Sequence, residues 1–246
     1  MRTKLLLFDV DGTLTVPMKP IDPEFRELIQ SLRKDYLIGV VGGSNIEKIT
    51  YQLGDNVLND YDYVFPENGL IAYKDGKLIG KTDIYDRVEK DQLDIFLQFV
   101  KEYIDKLDLP VKRSKHIEVR TGMINISPIG RDCTYEERVE YHEYDKVHNI
   151  RKNMISVLNE KFPNLNLIHV IGGMISFDTY PKGWDKTYCL NYLSDIHIIS
   201  DIYFFGDKTE YGGNDYEIYN HSRVNGHSVK TYKDTQQLLI DNFIKN

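Results

Sequence analysis

Two aspartates, Asp9 and Asp11, stand one residue apart directly after the apolar run Leu5–Phe8, and Gly12-Thr13 follow them. An apolar run without helical spacing reads as a buried strand. Both carboxylates then lie on the loop leaving a strand's carboxyl end, where open α/β sheets place their ligands. One carboxylate can act as a nucleophile while its neighbour moves protons. Two acids this close repel when both are ionised, so the pair calls for a divalent cation. A solvated acidic turn before a helix near Pro17 is the other reading of D-x-D; the buried strand and the Gly-Thr sequel count against it.

Two more strand ends carry chemistry. Leu37–Val41 runs into Gly42-Gly43-Ser44, with a helix expected from about Asn45 to Leu53. Glycines let backbone amides approach an anion, and a helix N-terminus favours negative charge. A serine that merely caps the helix would give the same letters. Ile202–Phe205 runs into Gly206-Asp207-Lys208 and then Gly212-Gly213-Asn214-Asp215. Lys186 opens the helix expected over about Thr187–Leu193, just before that strand. In a parallel sheet, strands distant in sequence can bring such ends together. Aspartates from two of them can share Mg²⁺, a lysine can neutralise a phosphoryl oxygen, and a serine can donate to another.

The elements that must position these groups follow from the patterning. Asp22-Pro23-Glu24 is a helix start, and Phe25, Leu28, Ile29 and Leu32 recur at helical spacing. Tyr63–Phe65 is a short strand, and Leu70–Tyr73 with Lys77–Ile79 form a hairpin about Asp75-Gly76. The pattern then changes. A charged amphipathic helix is expected over most of Lys81–Leu109, and a long polar one over Tyr135–Phe162. Strands are expected at Ile117–Arg120, Met123–Ser127, Ile168–Ile171 and Ile175–Phe177. Strands and helices without strict βα alternation indicate an α+β module inserted into an α/β chain.

Bulk properties narrow the choice. The 246 residues suit one large domain or two smaller ones, and 41% hydrophobic with 28% charged residues suits a packed core rather than disorder. A net charge of −7 excludes a global basic surface for nucleic acid. The 2 cysteines, Cys133 and Cys189, read as reduced thiols of a cytoplasmic protein. The opening LLLF is too short for a signal peptide, and no apolar run is long enough to span a membrane.

The ordered set DVDGT, GGS, Lys186 and GDKTEYGGND resembles the four motifs of the haloacid dehalogenase superfamily. Further, GVVGGS, YDYVFPENGLIAYKDGKL, IEVRTGMINISPIGRDC, GGMISFD and FFGDKTEYGGND resemble the eukaryotic phosphomannomutase family, from Leu5 to about Asp234. The resemblance implies a Rossmann-like core with a parallel sheet, residues 1–81 and 186–246. It also implies an inserted α/β cap, residues 82–185, that sets substrate specificity and joins two copies into a homodimer.

By that resemblance Asp9 is the nucleophile, Asp11 the proton donor and acceptor, and Ser44 and Lys186 hold the moving phosphoryl group. Mg²⁺ is implied on Asp9, the Asp11 carbonyl and Asp207, with Asn214, Asp215 and the Tyr219 carbonyl as further candidates. For Asp215 a helix N-cap is the competing reading. Arg120, Arg131 and Arg138 match the cap arginines that bind a sugar phosphate, and Ser176 and Asp178 match positions for sugar hydroxyls; Asn125 is a weaker candidate beside them. Without the resemblance, three solvated surface arginines would be the better reading. The chain departs from the family at Met18, where an arginine is usual and Lys19 is the nearest substitute. It departs again at His221 and Val224, which are poor ligands for a second hard cation.

The implied activity interconverts mannose 1-phosphate and mannose 6-phosphate with a hexose 1,6-bisphosphate as activator, feeding GDP-mannose synthesis. A sugar-phosphate phosphatase of the same superfamily, or a sugar-phosphate-binding protein without turnover, are the rival expectations.

Overall fold

The computed structural model describes residues 2–193 and 199–244. The chain divides into two compact units, Met1–Lys81 with Gly183–Asn246, and Thr82–Lys182.

The first unit is built on the strands β1 (Lys4–Phe8), β2 (Leu37–Val41), β3 (Tyr63–Phe65), β4 (Ile71–Lys74) and β5 (Lys77–Lys81). Four strands of the second unit intervene before the first unit is completed by β10 (Asp201–Gly206) and β11 (Val224–Ser228). They form one sheet in the order β11-β10-β1-β2-β3-β4-β5. The first five strands of that order run parallel, while β4 and β5 return as an antiparallel hairpin. The hairpin turns at Asp75 and Gly76, both with positive φ, as the two-residue connection requires. Chain order reverses at β1, with β2 on one side and β10 on the other, and ligands of open α/β sheets gather at such a switch point.

Alternate residues of β1 face opposite ways, as strand geometry dictates. Leu6 and Phe8 pack with Phe25, Ile29, Ile49 and Leu239. These come from the helices α1 (Pro23–Leu32), α2 (Ile46–Leu53) and, at the chain's end, α8 (Tyr232–Asn242). Leu5 and Leu7 pack on the other face with Phe65, Cys189, Phe204 and Ile218. Two short helices belong to the same unit, α3 (Val57–Asp60) and α7 (Tyr216–Tyr219). Asp22 caps α1 as expected, accepting from the Glu24 and Phe25 amides.

In the second unit, β6 (Ile117–Val119), β7 (Ile124–Ile126), β8 (Leu167–Gly172) and β9 (Ser176–Pro181) form an antiparallel sheet ordered β6-β7-β9-β8. Its helices are α4 (Lys90–Asp105), α5 (Tyr135–His148) and α6 (Ile150–Lys161). The inner face of the sheet carries Ile124, Ile126 and Phe177, all fully buried. His169 on that face stacks against Phe96 of α4.

Three helix expectations need correction. The helix drawn over Lys81–Leu109 begins only at Lys90, because β5 runs to Lys81 and a capped single turn, Ile84–Asp86, intervenes. Asp83 accepts from the Tyr85 amide, and Asp86 reaches back to the Asp83 amide. The polar helix drawn over Tyr135–Phe162 is two helices, broken at Asn149 with φ 53° and ψ 35°. Asparagine enters the left-handed region more readily than most residues. Here its amide closes α5 on the Asp145 carbonyl. The segment after Lys186 is a 3₁₀ helix, Lys186–Asn191, rather than an α-helix.

Candidate active site

The loop after β1 is fixed before any side chain is considered. The Asp9 amide donates to the Phe205 carbonyl at 2.9 Å, continuing the β1–β10 ladder by one step. The Val10 carbonyl accepts from the Leu14 and Thr15 amides at 3.0 Å, and Thr235 of α8 donates to the Thr13 carbonyl at 2.8 Å. Gly12 has φ +87°, and a Cβ there would stand 2.5 Å from Asp207 Oδ2, so only glycine lets the two strand ends close.

On this frame lies a buried cluster. Asp9, Asp207 and Asp215 each offer an oxygen within 4.8 Å of the others. Lys186, almost fully buried, donates to Asp9 Oδ1 and to Asp215 Oδ1, the latter at 2.5 Å. The Lys208 amide donates to the second Asp215 oxygen at 3.0 Å. Asp215 occupies the N-cap position of α7, but its side chain makes no capping bond there and is spent on Lys186 and the Lys208 amide. A side chain at Gly206 would collide with Asp215, its Cβ 2.7 Å from the carboxyl carbon.

Charge in the cluster is uneven. Burial pushes the Asp9 carboxyl up to about 7; Lys186 opposes the shift and Asp215 adds to it. Burial would lower the Lys186 ammonium, but Asp215 and Asp9 outweigh it and hold the lysine charged. Asp207 Oδ1 is buried without a hydrogen-bond partner. A buried carboxylate oxygen left unpaired is costly, and one facing two more carboxylates fits a hard divalent cation. The donor set therefore suits Mg²⁺.

Asp11 is half-buried and faces other partners. It accepts from Lys48 Nζ at 2.5 Å, Gln52 Nε2 at 2.8 Å and the Met18 amide at 2.9 Å. Burial raises its pKa, but these bonds overcome that and bring it below the ordinary carboxylate value. Lys19 is exposed on the turn whose Met18 amide holds Asp11. Ser44 does not cap α2; Asn45 does, accepting from the Lys48 amide at 3.2 Å. Its hydroxyl has no hydrogen-bond partner among the described residues.

Asn214 is exposed, and the Tyr219 carbonyl faces Gly226 in β11, where a Cβ would lie 2.5 Å from it. His221 Nδ1 accepts from the Arg223 amide at 3.2 Å.

The second unit gathers most of the remaining candidates on one sheet face. Glu118, Asn125 and Asp178 sit opposite one another across β6, β7 and β9. Asn125 Nδ2 donates to Ser176 Oγ at 3.2 Å and Asp178 Oδ1 at 2.6 Å. Arg131 reaches Asn125 Oδ1 through Nη1 and Glu118 Oε2 through Nε, the latter at 2.7 Å. Arg120 meets both Glu118 oxygens, at 3.1 and 3.2 Å. Arg138 donates to the Arg131 carbonyl at 2.6 Å and lies next in the chain of contacts. Behind the face, buried Arg151 pairs with Asp145 at 2.7 Å and donates to the Ser176 carbonyl at 3.0 Å.

A model of the eukaryotic phosphomannomutase family matches residues 25–245. The chain belongs to that family. It is 56% identical over 233 residues to a phosphomannomutase of Dendrobium officinale, covering 95% of this chain and 91% of that one. It is 54% identical over 242 residues to a phosphomannomutase of Glycine max, covering 98% and 97%. Among solved structures, an IMP-nucleotidase of Plasmodium falciparum superposes with a TM-score of 0.61 at 18% identity, over 97% of this chain and 68% of that one. The fold is thus a haloacid dehalogenase core with an inserted α/β module, and the phosphomannomutase-family chain is an enzyme.

Three residues at these sites escape a reading of motifs. Glu118 had a signal: it stands two residues before Arg120, the spacing that puts neighbours on one face of an extended chain, and Arg120 directly follows β6. Lys48 and Gln52 lie one helical turn apart on α2, a spacing that marks one face but names no partner. Among the described residues no helix is long and apolar enough to cross a membrane.

Proposed function

We propose that the enzyme interconverts mannose 1-phosphate and mannose 6-phosphate through an aspartyl phosphate on Asp9 and a hexose 1,6-bisphosphate, supplying mannose 1-phosphate for GDP-mannose synthesis. The observation that carries this reading is a cluster of cationic side chains in each unit, Lys186 beside Asp9 in the first and Arg120, Arg131 and Arg138 along one chain of contacts in the second. A phosphatase needs one phosphoryl site with water as acceptor; a mutase must hold a sugar phosphorylated at two positions.

The residues divide the work. An Asp9 oxygen attacks phosphorus, and the bond from phosphorus to the sugar oxygen breaks. Asp11, ionised at rest, takes a proton from the sugar hydroxyl that attacks the aspartyl phosphate, and gives that proton to the leaving sugar oxygen when Asp9 is phosphorylated again. Lys186 and the Ser44 hydroxyl orient and neutralise the phosphoryl oxygens. Mg²⁺, the cofactor that the unpaired Asp207 oxygen favours, would be held by Asp9, Asp207 and the Asp11 carbonyl, with Asp215 behind them. When bound it would screen the charge between carboxylates and phosphoryl oxygens. Lys19 extends this set toward the sugar.

Arg120, Arg131 and Arg138 take the other phosphate, and Ser176 and Asp178, tied by Asn125, take sugar hydroxyls. The second unit thus serves as a specificity cap, and the family likeness favours a homodimer formed through it. The free cysteines Cys133 and Cys189 support a cytoplasmic setting.

Phosphorus NMR on mannose 1-phosphate with Mg²⁺, with and without glucose 1,6-bisphosphate, tests the reading. Mannose 6-phosphate should appear, and only with the bisphosphate. Inorganic phosphate released at the same rate in both samples would make the enzyme a phosphatase.

A further inference from the structure

We infer that Glu118 is a positioning residue, a carboxylate clamp that sets Arg120 and Arg131 side by side for the substrate phosphate. The inference rests on the reading that these arginines bind that phosphate. Glu118 meets Arg120 along one edge of its guanidinium, through Nε at 3.1 Å and Nη2 at 3.2 Å. It meets Arg131 through Nε at 2.7 Å. Both guanidiniums are therefore held by the Nε side.

Their outer ends stay available. Arg120 Nη1 has only the Met123 sulfur at 3.7 Å, a weak acceptor, and Arg131 Nη2 has no acceptor among the described residues. Two guanidiniums left to themselves repel, and each side chain carries rotamer freedom that binding would have to remove. One carboxylate between them offsets the repulsion and removes that freedom beforehand. Glu118 itself is placed by the sheet: it lies directly opposite Asn125, whose carbonyl holds Nη1 of the same Arg131. The clamp thus has two anchors on adjacent strands. Arg120 also lowers the Glu118 pKa through its hydrogen bond, so the carboxylate stays charged as the clamp requires.

Steady-state kinetics of the full-length enzyme with mannose 1-phosphate test the clamp, comparing Glu118→Ala, Glu118→Gln and Arg131→Ala with the parent. Glu118→Ala should raise KM about tenfold or more and leave kcat within about twofold, because the groups at Asp9 are untouched. Glu118→Gln, which keeps the acceptor but not the charge, should fall between. Melting temperatures should stay close to the parent's, since the Glu118 side chain is 43% exposed. A KM that falls in Glu118→Gln would mean that the carboxylate competes with phosphate, and would overturn the clamp. Unchanged KM in both Glu118 variants beside a raised KM in Arg131→Ala overturns the clamp alone. Unchanged KM in all three removes the phosphate site as well.

Discussion

Lys186 and Asp9 keep 1% and 6% of their side-chain surface in water, whereas Arg131 and Glu118 keep 36% and 43%. Both places carry paired charges, and in the proposed reaction both meet a phosphate. The first sits where the strand order of the parallel sheet reverses, with apolar layers on either face of β1. Charges there are expensive to desolvate and must compensate one another. The second lies on the open face of a four-stranded sheet, where water shares the cost and each pair contributes little to folding. Burial therefore couples chemistry to stability in the first unit. Exposure separates binding from stability in the second.

That contrast can be broken most directly at Lys186. Replacing it with methionine keeps the bulk but leaves Asp9 and Asp215 buried without their cation. Chemical denaturation should show a loss of about 3–5 kcal/mol, and mutase activity should vanish. Added Mg²⁺ should recover part of the loss by binding the folded state. A Lys186→Met variant as stable as the parent would show that burial does not tie the two together.

At the second site, Arg138→Ala should raise KM for mannose 1-phosphate about 10- to 100-fold, worth about 1.4–2.7 kcal/mol of binding. Its stability should change by less than about 1 kcal/mol, because what it gives the fold is bonds to two carbonyls of a surface loop. Unchanged kinetics would detach Arg138 from the sugar phosphate.

A smaller effect sharpens the contrast within the second unit. Burial lowers the His169 pKa to about 4 from an ordinary 6.5. Between those values the unfolded chain binds a proton that the folded one refuses, so stability rises with pH across the window. It is complete above about 6.5 and lost as pH falls through about 4. Allowing for partial exposure, the loss should be about 1–2 kcal/mol. Urea melts at pH 7 and pH 4.5 should show it, and His169→Leu should flatten it. A parallel loss in that variant would assign the acid sensitivity elsewhere.

Much of the frame was legible because strand ends announce themselves. Leu37–Val41 and Tyr63–Phe65 are strands with the bounds their apolar runs suggested, and Asn45 begins α2 where the Gly-Gly-Ser junction placed it. Asn149 was less legible: nothing in the charges of residues 135–162 separates a left-handed asparagine from a helical one. The strand β11 was missed because Val224–Ser228 reads VNGHS, with little apolar content. It pairs with β10 through its backbone. Glu118 was only half legible, since its spacing from Arg120 hinted at that pair and nothing more. Its other partners come from β7 and from the loop holding Arg131, and cross-strand register is not written in the periodicity of one strand. Asp215 reads as a cap in sequence and holds that position, but its carboxylate turns instead to Lys186, 29 residues away, and to the Lys208 amide.

The placement of β1 has a consequence for synthesis on the ribosome. Residues 82–182 find every strand neighbour within their own stretch, whereas Lys4 waits for Asp201 and Leu7 for Phe204. Asp9 is synthesised 177 residues before Lys186, and Asp207 and Asp215 follow later still. Closing so long a loop is slow. A truncated translation product ending before Asp215 carries the first aspartate of the site without its full complement, and is born inert.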